Sequence, residues 1–237
     1  MNRCFLTSDC HGQFWHIRDF CYKNKTTLED YLLILGDVGL NYHLNPQIDS
    51  LNKKYVSTLP ITLLCIHGNH EERAYNISTY KRIFISEIEA YGYVEKEYPN
   101  IIFIEDGVFF LKKKKCLAIS GAYSVDKYFR LQMGYKWFPS EQPTEEEKEK
   151  IFQIIKHENS FNYIFTHTTP LKYERELKHL FLPSVNQDLV DKSTEKFLDE
   201  VEDRITYDHW YFGHFHDSFD LTDKVTILFN NFIELNL

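Results

Sequence analysis

Eight polar side chains that bind metal ions or move protons stand at the ends of five apolar runs of this chain. They are Asp9, His11, Asp37, Asn69, His70, His167, His214 and His216. Carboxylate, imidazole and amide oxygen without thiolate suit Mn, Fe, Co, Ni or Zn better than a structural zinc site of the cysteine type. The histidines and two aspartates exceed one ion's needs, which points to two ions sharing a carboxylate. Two ions about 3.5–4 Å apart, bridged by a water, make a nucleophile at neutral pH and clamp a phosphoryl group. The spacings Asp9-x-His11 and His214-x-His216 fit strand or loop geometry, where alternate residues point the same way. Any one of these histidines alone reads as a surface or hydrogen-bonded residue. The joint pattern carries the argument.

The runs that position them read as strands. Residues 3–7 empty into Ser8-Asp9-Cys10-His11-Gly12, and a helix over 14–23 follows with Phe14, Ile17, Phe20 and Cys21 on one face. Residues 31–35 end at Gly36-Asp37-Val38-Gly39, and a polar helix follows Pro46. The third strand, 61–66, runs into His67-Gly68-Asn69-His70-Glu71, where Gly68 lets the backbone turn without a Cβ in the way. On its own that stretch also reads as a polar turn capping a helix. The order predicts an α/β fold with a parallel sheet and right-handed crossovers, its chemistry at the carboxyl ends of the strands.

The middle changes character. Residues 101–105, 108–111 and 116–120 read as short strands, with Asp106-Gly107 as a hairpin signal and Lys112 to Lys115 as a solvated turn. An irregular aromatic and charged stretch over 121–143 has the length of a lid or binding loop. A helix starting on Pro143 carries Glu145, Glu146 and Glu147 in its first turn, which suits the positive helix end. The earlier pattern then returns: a strand over 162–165 ends at His167, and a helix from Ser193 shows Phe197, Leu198, Val201 and Ile205 on one face. A strand over 210–212 ends at Gly213-His214-Phe215-His216, and 226–229 reads as the closing strand. One domain over 1–237 is expected.

Composition sets limits. With 35 acidic against 27 basic residues the net charge is -8, so bulk attraction to long nucleic acid or anionic membrane is not expected. No apolar run approaches the length that spans a bilayer. Five scattered cysteines without a CxxC pair point to reduced thiols in a cytoplasmic setting. The start of the chain runs directly into its first strand, so no leader is expected.

Asp9-x-His11, Gly36-Asp37, Gly68-Asn69-His70-Glu71, His167 and Gly213-His214-x-His216 resemble, in order and spacing, the calcineurin-like metallophosphoesterases, and the segment Gly121 to Pro143 looks like that of small bacterial or phage members. The resemblance implies a four-layer α/β/β/α sandwich of two mixed β-sheets flanked by helices, with a dinuclear site between the sheet ends. It implies Asp9, His11 and His216 on one ion, Asn69, His167 and His214 on the other, and Asp37 bridging. His70 would stabilise phosphoryl oxygens or protonate the leaving group. Two divalent transition-metal ions, manganese first among them, would serve hydrolysis of phosphomonoesters or phosphodiesters by a metal-bridging hydroxide. The chain departs from many members at Leu40, where they carry an aspartate that orients the catalytic histidine. Leu40-Asn41 and Thr168-Thr169-Pro170 also set it apart from the protein Ser/Thr phosphatases.

Two other functions compete: a protein-binding module on the same fold, and a nuclease or nucleotide phosphodiesterase. The complete ligand set favours an enzyme, with a small phosphorylated substrate or nucleotide as partner. Tyr123, Tyr128, Phe129 and Trp137 either stack on a base or pack the loop onto the core. Arg130, together with Asn69, is the candidate for substrate binding, since guanidinium grips phosphoryl oxygens with a fork. The plain alternative pairs Arg130 with Asp126, and Arg73 is the rival cation.

Overall fold

Three buried strands open the chain, each followed by the turn that carries candidate ligands. β1 (Cys4–Thr7), β2 (Tyr31–Leu35) and β3 (Thr62–Ile66) are joined by α1 (Trp15–Asn24) and α2 (Pro46–Ser57). They are parallel neighbours, with Phe5 opposite Leu32 and Leu33 opposite Leu64. Covered on both faces, such strands are apolar throughout rather than alternating. α2 starts where the Asn45 side chain accepts from the Gln47 and Ile48 amides, with Pro46 in the first turn. The computed structural model describes residues 2–237.

A hairpin at the far edge has no counterpart in the sequence reading. β4 (Tyr80–Ile85) and β5 (Ala90–Glu95) pair antiparallel, and β5 docks on β6 (Ile101–Ile104), itself parallel to β3. Lys81 to Phe84 are all exposed, so β4 has no inward stripe to betray it. β13 (Ile233–Glu234) closes the opposite edge against β1, and the sheet order is β13-β1-β2-β3-β6-β5-β4. The closing strand is therefore not 226–229.

Asp106-Gly107 makes no hairpin. β6 stays in the first sheet, while β7 (Gly107–Leu111) belongs to the second, ordered β11-β12-β10-β9-β8-β7. The Asp106 carboxylate accepts from the Ser120 amide and hydroxyl at 3.0 and 2.6 Å, tying the crossing to the end of β8 (Lys114–Ile119). The true hairpin is β7–β8, turning at Lys112 and Lys113. β9 (Ser160–Thr166) and β10 (Thr206–Phe212) run parallel to β8, with β12 (Val225–Ile227) beyond and β11 (Phe219–Thr222) antiparallel at the edge.

Helices complete the layers. The 121–143 stretch is not wholly irregular, since α3 (Lys127–Met133) lies inside it. α4 (Glu145–His157) begins two residues beyond Pro143, the start expected from the sequence. Thr144 is the N-cap, and its hydroxyl and the Glu147 side chain form a reciprocal capping box. α5 (Ser193–Glu202) buries Phe197, Leu198 and Val201 as expected, and Ile205 packs beyond its end. Strand periodicity sorts the core into three. Leu6, Leu33 and Ile66 face Phe109, Phe165 and Tyr211 between the sheets. Phe5, Ile34 and Cys65 face Ile17 of α1 and Val56 of α2. Ile164 and Trp210 face Ile151 of α4 and Phe197 of α5. The result is the four-layer α/β/β/α sandwich of two mixed sheets. All five cysteines are buried and free.

Candidate metal centre

The carboxyl ends of β1, β2, β3, β9 and β10 meet at one point between the sheets. The turns after them are tight. Asp9, His11, Asp37, His214 and His216 all have left-handed backbone, with φ from 46° to 71°. Such conformations are costly for residues with a Cβ, and they concentrate where side chains must be aimed. Glycines let the turns close. A Cβ on Gly68 would overlap Asp37 Oδ1, and one on Gly213 would overlap the Ser8 hydroxyl and Asp9 Oδ2.

Asp37, almost wholly buried, stands in the middle. His167 Nε2 lies 3.5 Å from its Oδ1, and His11 Nε2 and His70 Nε2 each lie 3.9 Å from its Oδ2. Burial works against its negative charge, but His70 and His167 outweigh that and hold the carboxyl well below the usual range. On one side, His11 Nε2 and His216 Nε2 approach to 3.0 Å, and Asp9 Oδ1 is 3.5 Å from His216 Nε2. On the other, Asn69 Oδ1 lies 2.9 Å from His167 Nε2 and 3.1 Å from His214 Nδ1. All seven candidate ligands are thus brought together, four toward His11 and four toward His167, with Asp37 common to both.

The donor set fits divalent cations. His167 Nδ1 donates to the Leu35 carbonyl at 2.7 Å, which leaves the Nε2 lone pair turned toward two further electron-pair donors, Asn69 Oδ1 and Asp37 Oδ1. A carbonyl partner on the far ring nitrogen is how ligating histidines are oriented. Asp9 Oδ1 is buried without a hydrogen-bond partner, while Oδ2 is held by the Ser8 hydroxyl and the His214 amide. Without a cation, protons must fill these gaps. Burial opposes a charged His167, but Asp37 and Asp9 lift it to about 9. Burial, with His167 alongside, pulls His214 down to about 3.

His70 lies beside this cluster. Its amide donates to Asp37 Oδ1 at 2.9 Å, and its Nε2 is 3.2 Å from Asn69 Nδ2 and 3.3 Å from Arg130 Nη2. Two donors make that nitrogen an acceptor and place the proton of the neutral ring on Nδ1. Burial lowers the proton affinity of His70, and Arg130 adds to this against the pull of Asp37. Leu40 is packed in the core and brings no carboxylate to the ring, where Asp37 Oδ2 stands 3.9 Å from Nε2.

Arg130 forms the Asp126 pair of its plain reading and also reaches His70. Asp126 accepts from its Nε at 2.8 Å, and that anchor turns Nη2 to His70. Arg73 does not compete: it is buried, with Nε donating to the Ser140 carbonyl, and braces the 121–143 segment. Tyr123 is buried and lines the cavity at the centre, whereas Tyr128 and Phe129 are exposed on α3; Trp137 donates to Glu141 and sits under Lys127. Sequence reading missed the supports. Glu71, present in the motif without a role, accepts from the Val38 and Gly39 amides and fixes the turn after Asp37. Ser124 accepts from Asn69 Nδ2 at 2.9 Å, which turns Oδ1 to the two histidines. Hydroxyls this common in loops carry no sequence signal.

Among the described residues no helix is long and apolar enough to cross a membrane. No curated protein matches the chain. A family model described as calcineurin-like phosphoesterase matches residues 3–218.

Proposed function

The chain belongs to the calcineurin-like phosphoesterases, a family of metal-dependent phosphoester hydrolases, and from that premise we propose a dinuclear hydrolase of small phosphomonoesters or phosphodiesters. Asp9, His11 and His216 hold one ion, Asn69, His167 and His214 the other, and Asp37 serves both. The observation that carries this reading is the buried Asp37 flanked by imidazoles, with unpartnered Asp9 Oδ1 on one side and the His167–Asn69 lone-pair contact on the other. When bound, the ions supply Lewis-acid charge and a water activated at neutral pH.

The residues around them orient substrate and move protons. Arg130, anchored by Asp126, offers a fixed guanidinium edge to a phosphoryl oxygen beside His70. Asn69 Nδ2, which meets the same His70 nitrogen, offers a second donor. Burial and Arg130 disfavour a cationic His70, so once Asn69 and Arg130 turn to the phosphoryl oxygens a proton taken up at Nε2 is weakly held and is given to a leaving oxygen.

Elemental analysis is the direct test. Two transition-metal ions per chain are expected, with chelation abolishing hydrolysis of nitrophenyl phosphates and manganese or nickel restoring it. One ion or none after loading counts against the dinuclear centre. Arg130→Ala should raise KM and lower kcat/KM by about ten- to a hundredfold, the scale of a charge-assisted hydrogen bond, while metal content and Tm hold. Arg130→Lys should recover part of this, keeping charge and losing the fork. Unchanged kinetics in Arg130→Ala would remove the residue from the substrate site.

A further inference from the structure

Asn69 can serve an ion only if its amide faces the right way, and a rotated amide would aim Nδ2 at the two histidines instead. The Ser124 hydroxyl decides this by accepting from Nδ2 at 2.9 Å, which leaves Oδ1 toward His167 and His214. Ser124, however, belongs to the long 121–143 segment rather than to a strand. A group aimed from a loop is only as precise as what supports it. Something must therefore hold Ser124.

The support is Glu141. Its side chain is only 3% exposed and does not line the cavity over the metal centre. Oε2 accepts from the Ser124 amide at 3.2 Å and from Trp137 Nε1 at 2.8 Å. The Glu141 main-chain carbonyl accepts from the Ala122 amide at 3.0 Å. One buried residue thus ties the start of the segment to its end. A Cβ on Gly121 would come 2.6 Å from that carbonyl, so glycine permits the close approach. Arg73 pins the neighbouring residue, with Nε donating to the Ser140 carbonyl at 2.8 Å. An apolar side chain at 141 would leave the buried Ser124 amide without this acceptor, which costs more than a made bond contributes.

A carboxylate two bonds removed from a ligand thereby acquires a part in metal binding. We propose that Glu141 is a positioning residue, which touches neither ion nor substrate and orients Asn69 through Ser124 for the ion shared with His167 and His214. This rests on the dinuclear reading of the centre.

Calorimetric titration of the metal-free chain with manganese is the test, because it reads the ions without turnover. Two binding events are expected in the unsubstituted chain. Glu141→Met keeps the volume and removes both acceptors. It should weaken one event by about 10–100-fold, the scale of a lost outer partner of a ligand, and leave the other unchanged. Glu141→Gln should recover most of that affinity, since its carbonyl oxygen can accept from both N–H groups. Ser124→Ala should weaken the same event, and adding Glu141→Met to it should cost nothing further, because both act on Asn69 along one path. Should Glu141→Met not fold, Glu141→Asp takes its place: one methylene shorter, it cannot hold Ser124 and Trp137 as closely and should weaken the same event. Unchanged affinities, equal weakening of both events, or losses that add to those of Ser124→Ala overturn the assignment. A lower Tm with both affinities intact does so too, being the mark of a merely stabilising residue. An unsubstituted chain that binds one ion or none refutes the dinuclear reading and this assignment with it, whereas two ions indifferent to residue 141 remove only Glu141.

Discussion

Asp37→Asn is expected to deplete both ions and lower kcat/KM by about 10³-fold or more, beyond the 10–100-fold cost of disturbing a ligand's outer partner. Asp9→Asn should deplete one ion and cost less. The difference follows from position. Asp37 faces His167 from Oδ1 and His11 from Oδ2, all within 4 Å, so one carboxylate serves two donor groups, whereas the histidine that close to Asp9 is His216, with His11 and His167 farther off. Asparagine matches aspartate in shape, and Gly68 still packs against it, so the turn should keep its form. What disappears is the negative charge, in a buried site where it weighs most. Metal content by elemental analysis separates the two variants without reference to turnover, and a thermal melt of each metal-free chain checks the fold. An Asp37→Asn protein that retains two ions and full activity would refute the shared-carboxylate arrangement.

The first half of the centre was legible because its strands are buried on both faces. A run such as Leu32-Leu33-Ile34-Leu35 before Gly36-Asp37 has few other readings. The return at His167 and at His214 was legible for the same reason. Asp106-Gly107 misled because local turn chemistry says nothing of which sheet receives the next strand. There the Ser120–Asp106 bonds decide, and they link residues distant in sequence. The β4–β5 hairpin stayed hidden because an edge strand with exposed central residues has no apolar face to read. Glu141 illustrates the limit for sites. In sequence it is an acidic residue between Ser140 and Gln142, an ordinary choice in a polar stretch. Only packing reveals a buried carboxylate that gathers the Ser124 and Trp137 N–H groups.

His70→Ala separates chemistry from metal binding. Two ions should remain, because the ring stands beside the donor groups, against Asn69 Nδ2, Asp37 and the His11 ring, and is not itself among them. Turnover should fall by about 10²-fold or more, the scale of a lost general acid or oxyanion donor. The dependence on leaving group tells which role is lost. With Leu40 buried, position 40 brings no carboxylate to the ring, and its Nε2 meets Asn69, Arg130 and, at 3.9 Å, Asp37 Oδ2. If proton delivery is the role, the loss is small for a nitrophenyl ester, whose phenolate leaves unaided, and large for an alkyl ester. An equal loss for both assigns His70 to the phosphoryl oxygens, together with Arg130. The double variant His70→Ala/Arg130→Ala then costs less than the product of the single effects, since each group positions the other. A His70→Ala protein that loses an ion along with its activity would move His70 into the ligand set and leave Arg130 as the group that faces substrate.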